Sequence, residues 1–124
     1  LGLCLGLQLL FGSSQEAREK GLGVLPGKVL RFRGLMKIPH MGWNQIKASC
    51  KDNPLFKGSR EKDHYYFVHS YYAAPKDKAV IAATTNYGIE FCSAVWKGNV
   101  FATQFHPEKS QAAGLILIKN FVKL

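Results

Sequence analysis

Near the start of the 124-residue chain an apolar run bends around a single cysteine in the pattern G-x-C-x-G, Gly2-Leu3-Cys4-Leu5-Gly6. Glycine two residues before and two after a nucleophile suits a sharp strand-to-helix turn, which brings backbones together where a Cβ collides. Such a turn lifts the side chain out at the end of a sheet. It also puts the sulfur at a helix N-terminus, which is expected to lower the thiol pKa. The pattern therefore predicts that residues 1–3 end a buried strand and that 5–11 open a helix. On the local pattern alone an inert core cysteine is an equally good reading, because free cysteine often behaves as a small hydrophobe.

The second signal lies at the far end of the chain, in Gln104-Phe105-His106-Pro107-Glu108. A cysteine nucleophile needs a base to take its proton and later protonate the leaving amine, and that base needs a third group to fix its tautomer. His106 and Glu108 are two residues apart, so in extended backbone their side chains share a side. Pro107 fixes the backbone between them. A cysteine and its histidine are expected to be neighbours in space and distant in sequence, so Cys4, His106 and Glu108 form a candidate triad.

Between these ends, KVLRF at 28–32 alternates as a half-buried strand, and YYFV at 65–68 and 80–85 are further strands. Residues 92–96 and 100–105 read as a hairpin joined by Lys97-Gly98-Asn99. PHMGWN at 39–44 reads as a loop, followed by a short strand at 45–48. Gly12-Ser13-Ser14 is expected to end the first helix, and 51–63 is a polar connection or short helix. The final helix spans 110–122, with Ser110 as its N-cap and much of its apolar surface on Ile116, Ile118, Phe121 and Val122.

Composition narrows the classes. The length fits one domain, 1–124. With 17 basic against 8 acidic residues the net charge is +9, but the basic residues are scattered and no nucleic-acid motif accompanies them. No segment approaches the ~18 apolar residues of a membrane span. Cys4, Cys50 and Cys92 show no paired spacing, so neither a disulfide framework nor a zinc site is indicated, and a reducing cytoplasm is the expected setting. His40 and His64 read as structural or surface residues, and the proposed thiol chemistry calls for no metal or cofactor.

Taken together, LGLCLGLQLLFGSSQE, GLGVLPGKVLRF, PHMGWN, YYFVHSYYA and VFATQFHPEKSQAAGLILIKNF run in the order found in the class I (triad) glutamine amidotransferases. The chain resembles that family from end to end, and PHMGWN, FVHSY and QFHPEKS resemble the glutaminase subunit of imidazole glycerol phosphate synthase. The resemblance implies a flavodoxin-like α/β fold in which Cys4 attacks the side-chain amide of glutamine, His106 is acid and base, and Glu108 orients it. It implies an oxyanion donor at the Leu5 backbone N–H and glutamine contacts from Gln8, Glu16, His69, Ser70 and Tyr71. It also implies docking of Met41, Gly42, Trp43, Asn44 and Lys109 on a barrel-shaped cyclase that receives the ammonia in a heterodimer. Amidotransferases serving other synthases share the triad, so the triad alone does not choose the partner. The family domain begins well before the elbow, in a part that carries further strands and a second oxyanion donor. The chain is therefore expected to be a domain truncated at its N-terminus, and these residues alone are expected to be inactive or badly folded.

Overall fold

The structure, a computed structural model, describes residues 1–50 and 52–124. Its spine is a sheet whose longest strand, β9 (Ile89–Lys97), is buried on both faces over most of its length. That double burial is why Phe91 to Trp96, apolar except for Ser93, does not read as an alternation. Phe91 and Ala94 join one core with Phe67, Tyr65, Phe101, Phe105 and Leu117. Cys92 and Val95 join a second core with Leu7, Phe11, Leu25, Val29 and Ala102. The two cores therefore sit on opposite faces of one sheet.

Around β9 the pairing is largely antiparallel: β8 (Ile81–Tyr87) on one side, β10 (Val100–Thr103) and β7 (Tyr71–Pro75) on the other, and β3 (Leu25–Arg31) beyond β7. The parallel pairs are β1 (Gly2–Leu3) with β10, and β2 (Phe11–Ser14) with β3. The hairpin between β9 and β10 pairs Lys97 with Val100, so the turn is Gly98-Asn99, with Gly98 at φ 58°. Lys97, assigned to the turn from sequence, belongs to the strand.

Several local expectations are corrected. The first helix, α1, covers only Leu5–Gln8, and Gly12-Ser13-Ser14 lies in strand β2, where it pairs with β3 in place of closing a helix. PHMGWN is not a loop: β4 (His40–Gln45) pairs residue by residue with β6 (His64–His69), with β5 (Lys47–Ala48) following. The glycine in the run conceals the alternation, which places His40, Gly42 and Asn44 on the inner face and Met41, Trp43 and Gln45 on the outer. In the segment 51–63, residue 51 lies outside the described residues, and the rest holds one 3-10 turn at Pro54–Phe56. The closing helix α2 (Gln111–Val122) forms as expected, but its buried positions are Gly114 and Leu117. Among the described residues no helix is long and apolar enough to cross a membrane.

Candidate active site: a thiol elbow and a His–Glu pair

Cys4 sits between β1 and α1 at φ 48° and ψ −99°, a left-handed conformation that costs a non-glycine residue about 1–3 kcal/mol. Its N–H donates to the Thr103 carbonyl at 2.8 Å, which fixes the bend at the C-terminal ends of the adjacent parallel strands β1 and β10. A Cβ at Gly2 would lie 2.8 Å from the Gly6 carbonyl oxygen, so a side chain is excluded there. A Cβ at Gly6 would meet nothing within 4 Å. The steric demand of the elbow therefore falls on Gly2 alone, a correction to the symmetric expectation.

The thiol S–H points to the Val68 carbonyl at 3.9 Å, and the Gln104 side-chain Nε2 donates to the sulfur at 3.6 Å. Burial pushes the Cys4 pKa above its ordinary value, and the negative charges of Glu108 and Glu16 push the same way. The Leu5 N–H and the Gln104 amide pull it down, with less effect. The expected depression at a helix N-terminus is thus reversed: α1 has one turn, and desolvation outweighs it. In the resting site the cysteine is a thiol, which needs a base to become a nucleophile.

A candidate base lies just beyond the end of β10. His106 Nδ1 and Glu108 Oε1 are 2.6 Å apart, so the carboxylate fixes the proton on Nδ1 and leaves Nε2 free to accept. The loop carrying them is clamped on three sides. The His106 N–H donates to the Tyr66 carbonyl at 2.9 Å, as an isolated bridge to β6. Ser110 Oγ donates to the His106 carbonyl at 2.5 Å and accepts from the Tyr66 N–H at 3.0 Å. Ser110 thus stands at the N-cap position of α2 but ties the loop to β6 and makes no side-chain cap bond of its own. Gly114 completes the clamp, because a Cβ there would fall 1.8 Å from the Pro107 carbonyl oxygen.

Beside the elbow a cavity of about 200 Å³ is lined by Leu5, Gln8, Ser14, Glu16 and Lys20, among others. Leu5, the expected oxyanion donor, is thereby brought together with Gln8 and Glu16, two of the expected glutamine contacts. Glu16 is exposed, and its N–H donates to Ser14 Oγ at 3.0 Å. Gln8 is buried, with its Nε2 donating to the Tyr71 carbonyl at 3.1 Å and to Gln104 Oε1 at 3.2 Å. The 69–71 segment turns inward: the Ser70 carbonyl accepts from the Phe32 N–H, the Tyr71 carbonyl accepts from His69 Nδ1 at 2.7 Å, and His69 is itself buried.

Met41 and Trp43 are exposed on the outer face of β4, with the Trp43 ring edge-on to Tyr66. Tyr66 in turn bridges His106, so this apolar surface lies one strand away from the His–Glu pair. Lys109 is exposed beside Glu108, while Asn44 turns to the inner face. The role of Gln104, the pairing of His40 with His69 and the Ser110 clamp are not announced by the sequence, although His69 itself is expected at the substrate site. The signal available is slight: an amide side chain just past the end of β10, two residues before His106.

Fold and site together define an α/β domain with a cysteine on a strained elbow after one strand and, just past the end of its parallel neighbour, a histidine held by a glutamate. The family model for glutamine amidotransferase class-I matches residues 1–124, and the chain belongs to that family. It is similar to the imidazole glycerol phosphate synthase subunit HisH of Syntrophotalea carbinolica, with 54% identity over 98% of this chain and 62% of the relative. The HisH protein of Methanocaldococcus jannaschii is 54% identical over 100% of this chain and 63% of that relative. The chain thus spans about three-fifths of the length of these curated relatives. The crystal structure of a proposed GMP synthase subunit from Thermoplasma acidophilum superposes with a TM-score of 0.68 at 20% identity. The superposition covers 98% of this chain and 54% of that one, and the two share the flavodoxin-like α/β fold.

Proposed function

We propose that the chain carries the nucleophile, base and orienting carboxylate of a glutaminase. Its ammonia passes to a cyclase subunit that makes imidazole glycerol phosphate in histidine biosynthesis. His106 Nε2 takes the Cys4 proton as the sulfur attacks the side-chain amide carbon of glutamine. The imidazolium then protonates the departing nitrogen, giving ammonia and a glutamyl thioester. His106 next takes a proton from water, whose oxygen displaces the thiol and releases glutamate. Glu108 holds the imidazole in the accepting tautomer and offsets its transient positive charge. The Leu5 N–H is one donor to the tetrahedral oxyanion, a contact of a type whose loss costs about 10²–10³ in rate. Gln8, Glu16 and the 69–71 segment form the glutamine site.

The observation that supports this reading is that the Cys4 elbow follows the end of β1 while the His106–Glu108 pair lies just past the end of its parallel neighbour β10. The similarity to relatives named as imidazole glycerol phosphate synthase subunits supports the choice of partner. Met41, Trp43 and Lys109 are the docking residues for that partner, in a cytoplasmic heterodimer.

Glutamate release from glutamine by the full-length protein, with and without the cyclase subunit, tests the reading. Replacing Cys4→Ala is expected to lower turnover by roughly 10⁴-fold or more, the scale seen when a covalent nucleophile is deleted. Undiminished turnover in that variant overturns the assignment.

A further inference from the structure

A line of hydrogen-bonded polar groups runs from strand β4 through the protein to the Cys4 sulfur. It begins at Asn44, whose Oδ1 accepts from the Gln45 N–H at 2.8 Å while Nδ2 donates to the Asn86 carbonyl at 3.0 Å. The Asn44 amide orientation is therefore fixed, and Nδ2 must also be the donor toward His40 Nε2, 3.2 Å away. His40 Nδ1 lies 2.9 Å from His69 Nε2, and His69 Nδ1 lies 2.7 Å from the Tyr71 carbonyl. A carbonyl only accepts, so His69 carries its proton on Nδ1 and accepts at Nε2. His40 must then donate from Nδ1 and accept at Nε2, which is the state Asn44 independently requires. Both ends of the line thus dictate the same tautomer for both rings.

The same reasoning continues past Tyr71. Gln8 Nε2 faces the Tyr71 carbonyl and Gln104 Oε1, both acceptors, and uses both of its hydrogens on them. With Oε1 of Gln104 engaged as acceptor, its NH₂ group is turned to Cys4. The rings are held neutral as the line demands: burial brings both His40 and His69 down to about 4. Their surroundings are aromatic, with Tyr87 and Phe67 stacked on His40 and Phe32 and Phe91 against His69.

We propose that Gln104 is a catalytic residue that stabilises and aims the Cys4 thiolate, and that Gln8, His69, His40 and Asn44 are positioning residues that hold its amide in the donating orientation. The inference rests on the reading of Cys4 as the nucleophile. An N–H aimed at the sulfur favours the thiolate over the thiol, opposing the burial and the Glu16 and Glu108 charges that favour the thiol. Besides Glu16 and Glu108, the titratable groups on β6, on β7 and in the loop after β10 are His64, Tyr65, Tyr66, His69, Tyr71, Tyr72, His106 and Lys109; none is changed in the test.

The test follows the pH dependence of Cys4 alkylation by iodoacetamide in the full-length protein without glutamine. Peptide mass spectrometry separates Cys4 from Cys50 and Cys92. Gln104→Met removes the donor at similar volume, and the midpoint is expected to rise by about one pH unit, a tenfold slower reaction at neutral pH. Gln8→Met is expected to raise it as well, and the double variant to match Gln104→Met alone, because both act through one donor. Additive shifts, or no shift in Gln104→Met, overturn the proposal. Nitrogen NMR of the unsubstituted protein supplies a check independent of any variant's folding. Both His40 and His69 are expected as neutral Nδ1–H tautomers at neutral pH, and an Nε2–H tautomer at either ring contradicts the line. Retained glutaminase turnover in Cys4→Ala would sink the functional reading instead, while the alkylation midpoints still decide whether Gln104 tunes this thiol.

Discussion

Cys4 is strained by its backbone and desolvated by its surroundings. Alanine at this position keeps the strain and glycine relieves it. In denaturant titrations Cys4→Gly is therefore expected to be more stable than Cys4→Ala by about 1 kcal/mol. Equal stabilities would mean that the elbow relaxes when the sulfur is gone. This residue also marks how far the sequence can be read. The spacing of Gly2, Cys4 and Gly6 announces a bend, and the bend is there. The thiol pKa runs against the sequence expectation because it depends on burial and on Glu108 and Glu16, which reach Cys4 through the fold and not through neighbouring sequence. Gln104 is hidden for the same reason, since only the structure shows what its amide touches.

At the scale of elements, strands β9 and β10 are legible because dense apolar runs flank a turn with glycine. Strand β4 is not, because its inner positions are His40, Gly42 and Asn44, polar or small residues that satisfy one another inside. Its outer face gives a separable expectation. Trp43→Ala removes a half-exposed ring, so stability is expected to change by no more than about 0.5 kcal/mol. Binding to the proposed cyclase partner is expected to weaken by at least about tenfold, as when an interface anchor is lost. Calorimetric titration checks the second and thermal melting the first; unchanged affinity would remove Trp43 from the interface. Helix α2 meets the His106–Glu108 loop at Gly114, where there is no room for a methyl group. Gly114→Ala is expected to cost about 1–3 kcal/mol of stability by overpacking. It is also expected to lower turnover by displacing His106 and Glu108; normal turnover in a folded variant would show that the loop tolerates the shift.

For the molecule as a whole, the buried His40–His69 pair links folding to pH. Both rings fall from an ordinary 6.5 to about 4 in the folded state, with burial the largest cause. Between those values the unfolded chain binds protons that the folded chain excludes. Their neutral state is therefore compatible with full stability above about pH 6.5, and stability declines as the pH falls toward 4. Urea unfolding at pH 7 and pH 5 is expected to show the lower midpoint at pH 5. An equal or higher midpoint there would mean that the rings charge freely within the fold. The α/β class and the family are readable end to end because their motifs are local strings, whereas the two-sided core and the polar line from Asn44 to Cys4 join residues up to a hundred positions apart. The claim on which all of this turns is that Cys4 attacks glutamine. The most direct measurement treats the full-length protein with an electrophilic diazoketone analogue of glutamine and locates the adduct by peptide mass spectrometry. The label is expected on Cys4, with glutamine protecting it; modification of Cys50 or Cys92 with Cys4 untouched would contradict the account.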